Sequence, residues 1–284
     1  MKVVKQLFNF YINSSVHVAL SVFSLTWITW IEYDLVINEN VLYFVFFATI
    51  TGYNFVKYFG VAKFHHRSLA NWLKAIQIFS FFSFVSMCCY AFQLDVNTLL
   101  CIVGLGVITF LYAIPFLPKR LFLDKQHNLR SIGGLKIYLI ALVWCSVTVF
   151  IPIINQKYDI NTDVILTGIQ RYIFVIVLMF PFEIRDLQYD SVKLSTIPQR
   201  IGIIPTKVIG ALLLIIFFFL EFFKDDVNTL RIIILFIIAS ITLVLVVFSK
   251  IKQSKYYSSF WVEGLPVLWF IMLLIQNSLI LLNI

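Results

Sequence analysis

Seven stretches of the chain contain no Asp, Glu, Lys or Arg: 6–31, 40–56, 75–94, 96–118, 137–156, 232–249 and 264–284. Each is long enough for one helix across a bilayer, which takes about 20 residues with a range of roughly 17–25. Two further regions complete the set. The stretch 164–182 carries Arg171, and 203–223 holds only Lys207 and Glu221 near its ends. Long side chains near a helix end reach the headgroups, so both regions still read as spans. The sequence therefore predicts nine helices, over 11–31, 40–58, 73–94, 98–117, 132–154, 164–183, 203–223, 229–249 and 260–282. A β-barrel would alternate apolar and polar residues, and runs such as Ile215–Phe219 and Ile232–Ile238 do not alternate. The expected fold class is all-α, a polytopic membrane protein built as a nine-transmembrane-helix bundle. Nine helices in one bundle account for nearly all of the 284 residues, which predicts a single transmembrane domain over 1–284.

Composition closes off the other classes. The chain is 61% hydrophobic and 13% charged, where a soluble domain has about 45–50% apolar and about 25% charged residues. The mean hydropathy is +0.94. A water-soluble globule, a disordered chain and a disulfide-stapled secreted domain are excluded. Cys88, Cys89, Cys101 and Cys145 lie inside apolar stretches without a CxxC pair and read as small hydrophobes. Lys2 and Lys5 before an apolar stretch superficially resemble a secretion signal. No small-x-small cleavage site follows, so the stretch reads as an uncleaved first span.

Orientation follows from Lys and Arg. With the N-terminus inside, the inner segments 1–10, 57–74, 119–136, 185–207 and 250–255 hold 18 of the 22 Lys and Arg residues. The outer segments hold Lys157, Arg171, Lys224 and Arg231, beside acidic residues such as Glu32, Asp34, Asp159 and Asp225. That asymmetry is a positive-inside signal. It predicts an integral multi-pass protein, of the cytoplasmic membrane in a bacterium. The net charge of +8 then lies on one face, where topology and anionic lipid suffice to explain it. Nucleic acid is a poor partner for a chain with no soluble domain.

Three inner connections are rich in candidate chemistry. The first runs from Thr51-Gly-Tyr-Asn54 through Lys57 to His65-His66-Arg67. The second holds Tyr112–Lys119, Arg120, Asp124, Lys125, His127, Arg130 and Gly133-Gly134-Leu-Lys136. The third reads Phe180-Pro-Phe-Glu-Ile-Arg-Asp-Leu-Gln-Tyr-Asp190-Ser-Val-Lys193, then Pro198-Gln-Arg200-Ile-Gly202. Asp186 and Asp190 are four apart and share one face of a continued helix, and Glu183 joins it. Three neighbouring carboxylates repel one another. They need either a divalent cation, which prefers hard oxygen ligands, or bases such as Arg185, Lys193 and Arg200. A solvated helix end in local salt bridges is the bland alternative.

The string Arg185-Asp-Leu-Gln-Tyr-Asp190, followed by Lys193 and a Pro-x-x-x-Gly turn, resembles the second aspartate-rich motif of the UbiA superfamily of intramembrane prenyltransferases. Tyr112–Lys119 and Arg130–Trp144 are similar to that family's helix four to five region. The resemblance implies a nine-helix bundle with a cavity on the inner face. The implied reaction is transfer of a prenyl group from an isoprenyl diphosphate to a small or lipidic acceptor. It also implies Mg2+ held by Asp186 and Asp190, with Asn54, Lys57, Lys119, Arg120, Arg130, Lys136 and Lys193 as diphosphate ligands. The first motif departs from the pattern. Asn54 stands in its place, but no carboxylate appears from Asn40 through Arg67. One Mg2+ rather than two is then expected, with Lys57 as a fixed positive charge. The alternative is a non-catalytic prenyl-lipid-binding or membrane-assembly protein on the same scaffold. A transporter would show inverted repeats and broken spans, and neither stands out. His65-His66 read as interfacial loop residues, His17 as a hydrogen-bonded interior histidine, and Arg171 as a snorkelling side chain. Trp27, Trp30, Trp261, Tyr256 and Tyr257 read as an aromatic belt.

Overall fold

The computed structural model describes residues 2–64, 71–113, 134–189 and 195–282. Every regular element among them is helical. In chain order these are α1 (Lys2–Asn13), α2 (Val16–Glu32), α3 (Glu39–Phe64), α4 (Asn71–Ala91), α5 (Val96–Ala113) and α6 (Leu135–Cys145). They are followed by α7 (Ile151–Asn155), α8 (Thr162–Asp186), α9 (Ile197–Ile201), α10 (Ile203–Phe219), α11 (Thr229–Phe248) and α12 (Leu265–Leu282). A π-helical turn, Ser146–Phe150, joins α6 to α7, and a second π-helical segment, Tyr257–Val262, leads into α12.

Local chemistry sets the ends of these helices. Asn161 caps α8 by accepting from the Val164 amide at 3.0 Å. Asp163 in the first turn and Arg185 in the last complement the helix dipole. Asn228 does the same for α11, accepting from the Leu230 and Arg231 amides at 3.0 and 3.2 Å. Between α9 and α10 the chain turns at Gly202, whose φ of 88° suits a residue without a Cβ.

The helix α8 is the centre of the bundle. Of its apolar window 67% is buried, against 17% for α4. Phe174 of α8 stacks on Phe217 of α10 at 5.3 Å, and Trp269 of α12 meets both rings edge-on. Leu25 and Ile28 of α2 and Ile137 and Ala141 of α6 are fully enclosed in the same core. The outside is apolar too: Phe81 and Phe82 on α4 are each 63% exposed, and Ile204 on α10 is 75% exposed. A water-soluble surface does not carry so much contiguous apolar area. Among the described residues, six helical spans are long and apolar enough to cross a membrane, or seven if the bent pair α1–α2 is one span. The protein is an integral, multi-pass membrane protein.

Three sequence expectations change. The first span is not one helix over 11–31: α1 and α2 are bent by 55° at Ser14 and Ser15. Ser15 takes a left-handed φ of 64°, and both serines are fully buried. The Ser15 hydroxyl bonds to Asn54 and Lys57 of α3 rather than to its own helix, and the chain restarts with the Ser15 carbonyl accepting from the Ala19 amide at 3.1 Å. Arg171 does not snorkel. It is 1% exposed; its Nη1 donates to the Leu25 carbonyl at 2.9 Å, Nη2 lies 3.8 Å from Glu32, and the guanidinium faces Trp269. Neighbouring helices supply a carbonyl, a carboxylate and a ring, so the charge need not reach the headgroups. Trp30 is also 1% exposed and belongs to the core rather than to an interfacial belt.

Candidate functional site

The end of α8 gathers the charged residues that the sequence singles out. Arg185 donates from Nε to Asp186 Oδ1 at 2.8 Å, and its Nη2 lies 2.8 Å from the same oxygen. Lys136, at the start of α6, places Nζ 3.9 Å from Asp186 Oδ2. The Arg185 guanidinium also sits over the Phe182 ring at 5.3 Å. Glu183, one turn earlier, is not on the open face with Asp186: it is 2% exposed. Asp190, Lys119, Arg120, Arg130 and Lys193 lie outside the described residues.

Helix α3 brings Asn54 and Lys57 from the other side. The two are three apart and share a helix face. Asn54 is 3% exposed. Its Nδ2 donates to the Ser14 carbonyl at 2.9 Å and to Ser80 Oγ at 2.8 Å, and its Oδ1 accepts from Ser15 Oγ at 2.8 Å. Asn54 thereby ties α3 to α4 and to the break between α1 and α2. Lys57 Nζ donates to Ser15 Oγ at 3.1 Å. The Lys57 ammonium is within electrostatic range of Arg185. The structure thus brings Lys57, Arg185, Asp186 and Lys136 to one end of the bundle, with Asn54 one turn deeper.

Tyr53, four residues before Lys57 on the same face, accepts a hydrogen bond from Trp144 Nε1 at 2.8 Å. The two rings meet edge to face at 6.5 Å. This aromatic pair lies about one turn from Lys57 along α3. One further residue belongs here that the sequence reading overlooks. Glu263 is within electrostatic range of both Lys57 and Arg185. The signal was available: Glu263 is the one charged residue in the whole stretch after Lys255.

The donor chemistry suits Mg2+ in part. Asp186 Oδ2 is a hard oxygen with Lys136 Nζ at 3.9 Å, beyond hydrogen-bond length, so it has lone pairs to offer. Among the described residues no group of three His, Cys, Asp or Glu side chains is placed to hold a metal. Asp190 is needed to complete a carboxylate pair.

A second polar feature lies at the opposite end of α8. A cavity of about 200 Å3 is lined by Glu32, Tyr33, Asp34, Asp163, Lys224 and Arg231 among others. Lys224 holds Glu221 at 2.7 Å, and Gln170 donates to Glu221 at 3.1 Å. Tyr33 shares a hydrogen bond with Thr167 at 2.8 Å, and burial pushes its phenol well above the usual range. These groups flank three separate connections, α2–α3, α7–α8 and α10–α11, so no motif announces them in the sequence.

No protein-family model matches the chain, and no curated protein does. Among solved structures, one of a digeranylgeranylglyceryl phosphate synthase in membranes is similar, with a TM-score of 0.56 at 13% identity. The match covers 94% of this chain and 98% of that one. At that identity the likeness speaks for architecture: end to end, the chain has the fold of that membrane synthase.

Proposed function

We propose that the chain is a UbiA-type intramembrane prenyltransferase that moves a prenyl group from an isoprenyl diphosphate to a lipidic or other small acceptor. The observation that carries the reading is the meeting of Lys57, Lys136, Arg185 and Asp186 at one end of a bundle with the fold of a lipid-making synthase. Three cations from three helices are suited to a diphosphate. They hold its oxygens as the allylic C–O bond stretches and negative charge collects on the leaving group. Fixed charges in a water-poor site stabilise such a transition state without reorganising. The Tyr53–Trp144 pair offers aromatic faces to the positive charge on the allylic carbon. Lys119, Arg120, Arg130 and Lys193 join the phosphate ligands in this reading, while Asn54 sets the position of α3. A single Mg2+ held by Asp186 and Asp190 would supply further neutralisation of the diphosphate.

The topology proposed with it has nine crossings and the N-terminus inside. In this proposal α3 and the shorter apolar α5 cross as well, in addition to the bent pair α1–α2 and the six long apolar spans. A second reading has one specific observation in its favour. No carboxylate lies between Asn40 and Arg67, which suits a protein that binds a prenyl lipid without turning it over. Incubating the purified protein with labelled farnesyl or geranylgeranyl diphosphate, with and without Mg2+, separates the two. Label passing into a lipid product supports the transferase. Saturable binding with no product supports the binding protein.

A further inference from the structure

We propose that Glu263 is the base of the transfer, taking the proton that a hydroxyl-bearing acceptor loses as the prenyl group arrives. This rests on the prenyltransferase reading above. The step balances as follows. The bond from the allylic carbon to the diphosphate oxygen breaks, and its electron pair stays with the diphosphate. The acceptor oxygen forms the new C–O bond to that carbon. Its proton passes to the Glu263 carboxylate and from there to water.

The placement of Glu263 is built by α2. Within two turns, α2 holds both Lys57 and the Glu263 segment. Ser15 Oγ accepts from Lys57, His17 Nε2 bonds to the Phe260 carbonyl at 2.9 Å, and Ser21 Oγ donates to the Glu263 carbonyl. Ser15 and Ser21 are six residues apart, about 9 Å along a helix. The Glu263 segment lies hard against α2. A Cβ at Gly264 would stand 2.7 Å from the Phe260 carbonyl oxygen and 3.2 Å from His17 Nε2. The π-helical segment Tyr257–Val262 immediately before it shifts the register of the helix, a device frequent at functional sites. An ionisable side chain inside a span is costly and faces the bundle interior or a polar cavity, and Glu263 lies within electrostatic range of Lys57 and Arg185.

The other candidate bases described at this end are occupied or enclosed. Asp186 is held by Arg185 at 2.8 Å. Both His17 nitrogens are engaged, Nδ1 with the Tyr11 hydroxyl at 2.7 Å and Nε2 with the Phe260 carbonyl. Glu183 is 2% exposed. Glu263 differs from all three. It is half-buried, and none of the described ion pairs within 4.0 Å includes it. It stands within electrostatic range of Lys57 and Arg185 without a described ion pair to either within 4.0 Å, so its carboxylate is not taken up by the cations beside it. A general base has to be within hydrogen-bond reach of the proton it takes.

Two measurements on the full chain in lipid nanodiscs test this. One is transfer of tritiated geranylgeranyl diphosphate into a total membrane lipid extract. The other is calorimetric binding of geranylgeranyl thiodiphosphate. Glu263→Gln should bind the thio analogue as tightly as wild type or tighter, because a negative charge facing the diphosphate is gone. Its transfer rate should fall about 100-fold or more, the range of general-base catalysis. Glu263→Asp should keep binding and lose about tenfold in rate, and it carries the test alone if Glu263→Gln does not fold. Transfer at the wild-type rate in either variant overturns the proposal. So does loss of both binding and transfer in a well-folded variant, which would make Glu263 a positioning residue for the diphosphate. Wild-type protein that binds the analogue but transfers nothing overturns the transferase reading itself, and the base falls with it.

Discussion

Lys57 is the residue on which the proposed chemistry turns. It stands where the resemblance expects aspartates, and it lies within electrostatic range of Arg185. A cation would be repelled there, and a diphosphate attracted. Losing one charge-assisted phosphate contact costs roughly 1.5–3 kcal/mol, so Lys57→Ala should weaken thiodiphosphate binding about tenfold or more, read by calorimetry. Lys57→Asp tests the same idea from the other side. It should abolish binding at low Mg2+ and regain part of it at high Mg2+, as a new carboxylate joins Asp186. Equal binding by wild type and Lys57→Asp at every Mg2+ concentration would remove Lys57 from the site. Arg171 makes a contrasting case of a charge with a structural job. Its guanidinium is enclosed with Glu32 3.8 Å away. Breaking a buried pair by removing one partner costs about 3–5 kcal/mol. Glu32 keeps 15% of its side chain accessible, which places Arg171→Met at the lower end of that range. Thermal unfolding in detergent should show the loss, while diphosphate binding at the far end of α8 stays unchanged.

At the scale of elements, the break between α1 and α2 organises the site. Asn54 uses two donors and one acceptor to hold it against α3 and α4, and Ser15 in turn holds Lys57. Asn54→Leu keeps the volume but leaves the Ser14 carbonyl without its amide donor. A buried polar group left unsatisfied costs about 1–3 kcal/mol, so unfolding should shift to lower temperature and diphosphate binding should weaken with it. A variant as stable as wild type would show that Asn54 does not pin the helices. The helices themselves were legible in the sequence because a span needs only length and an absence of charge, and both are local. The break at Ser14-Ser15 was not, since two serines inside an apolar stretch suit an unbroken span equally well. Arg171 reads as a snorkelling residue for a related reason: sequence gives its depth in the helix but not the Leu25 carbonyl, Glu32 and Trp269 that receive it. Glu263 stands out in the sequence only as a lone charge in its span; its neighbours Lys57 and Arg185 come from α3 and α8, far off in the chain. Asp186 was legible from its four-residue spacing to Asp190, but the approach of Lys136 to 3.9 Å is a contact between helices that no spacing reveals.

For the whole molecule, the distribution of charge decides which side of the membrane the site faces. The segments joined to the Lys57, Lys136 and Arg185 end hold 18 of the 22 Lys and Arg residues. Basic residues in short connections are retained on the cytoplasmic side, so that end should be inside together with the N-terminus. An odd number of crossings then puts Ile284 outside. A phosphatase that works only outside the cytoplasm, fused after Ile284, should be active, and a fluorescent reporter that folds only inside should stay dark. Seven crossings and nine share this outcome, so the fusion tests orientation and parity rather than the count. Lys57→Cys, in a chain with Cys88, Cys89, Cys101 and Cys145 replaced by alanine, tests the site directly. A membrane-impermeant maleimide should label it in inside-out vesicles and not in intact cells, and a prenyl thiodiphosphate should protect it. Labelling from the outer side would put the basic end on the wrong face and reverse the topology. Labelling from the inner side without protection would keep the topology and remove Lys57 from the diphosphate site.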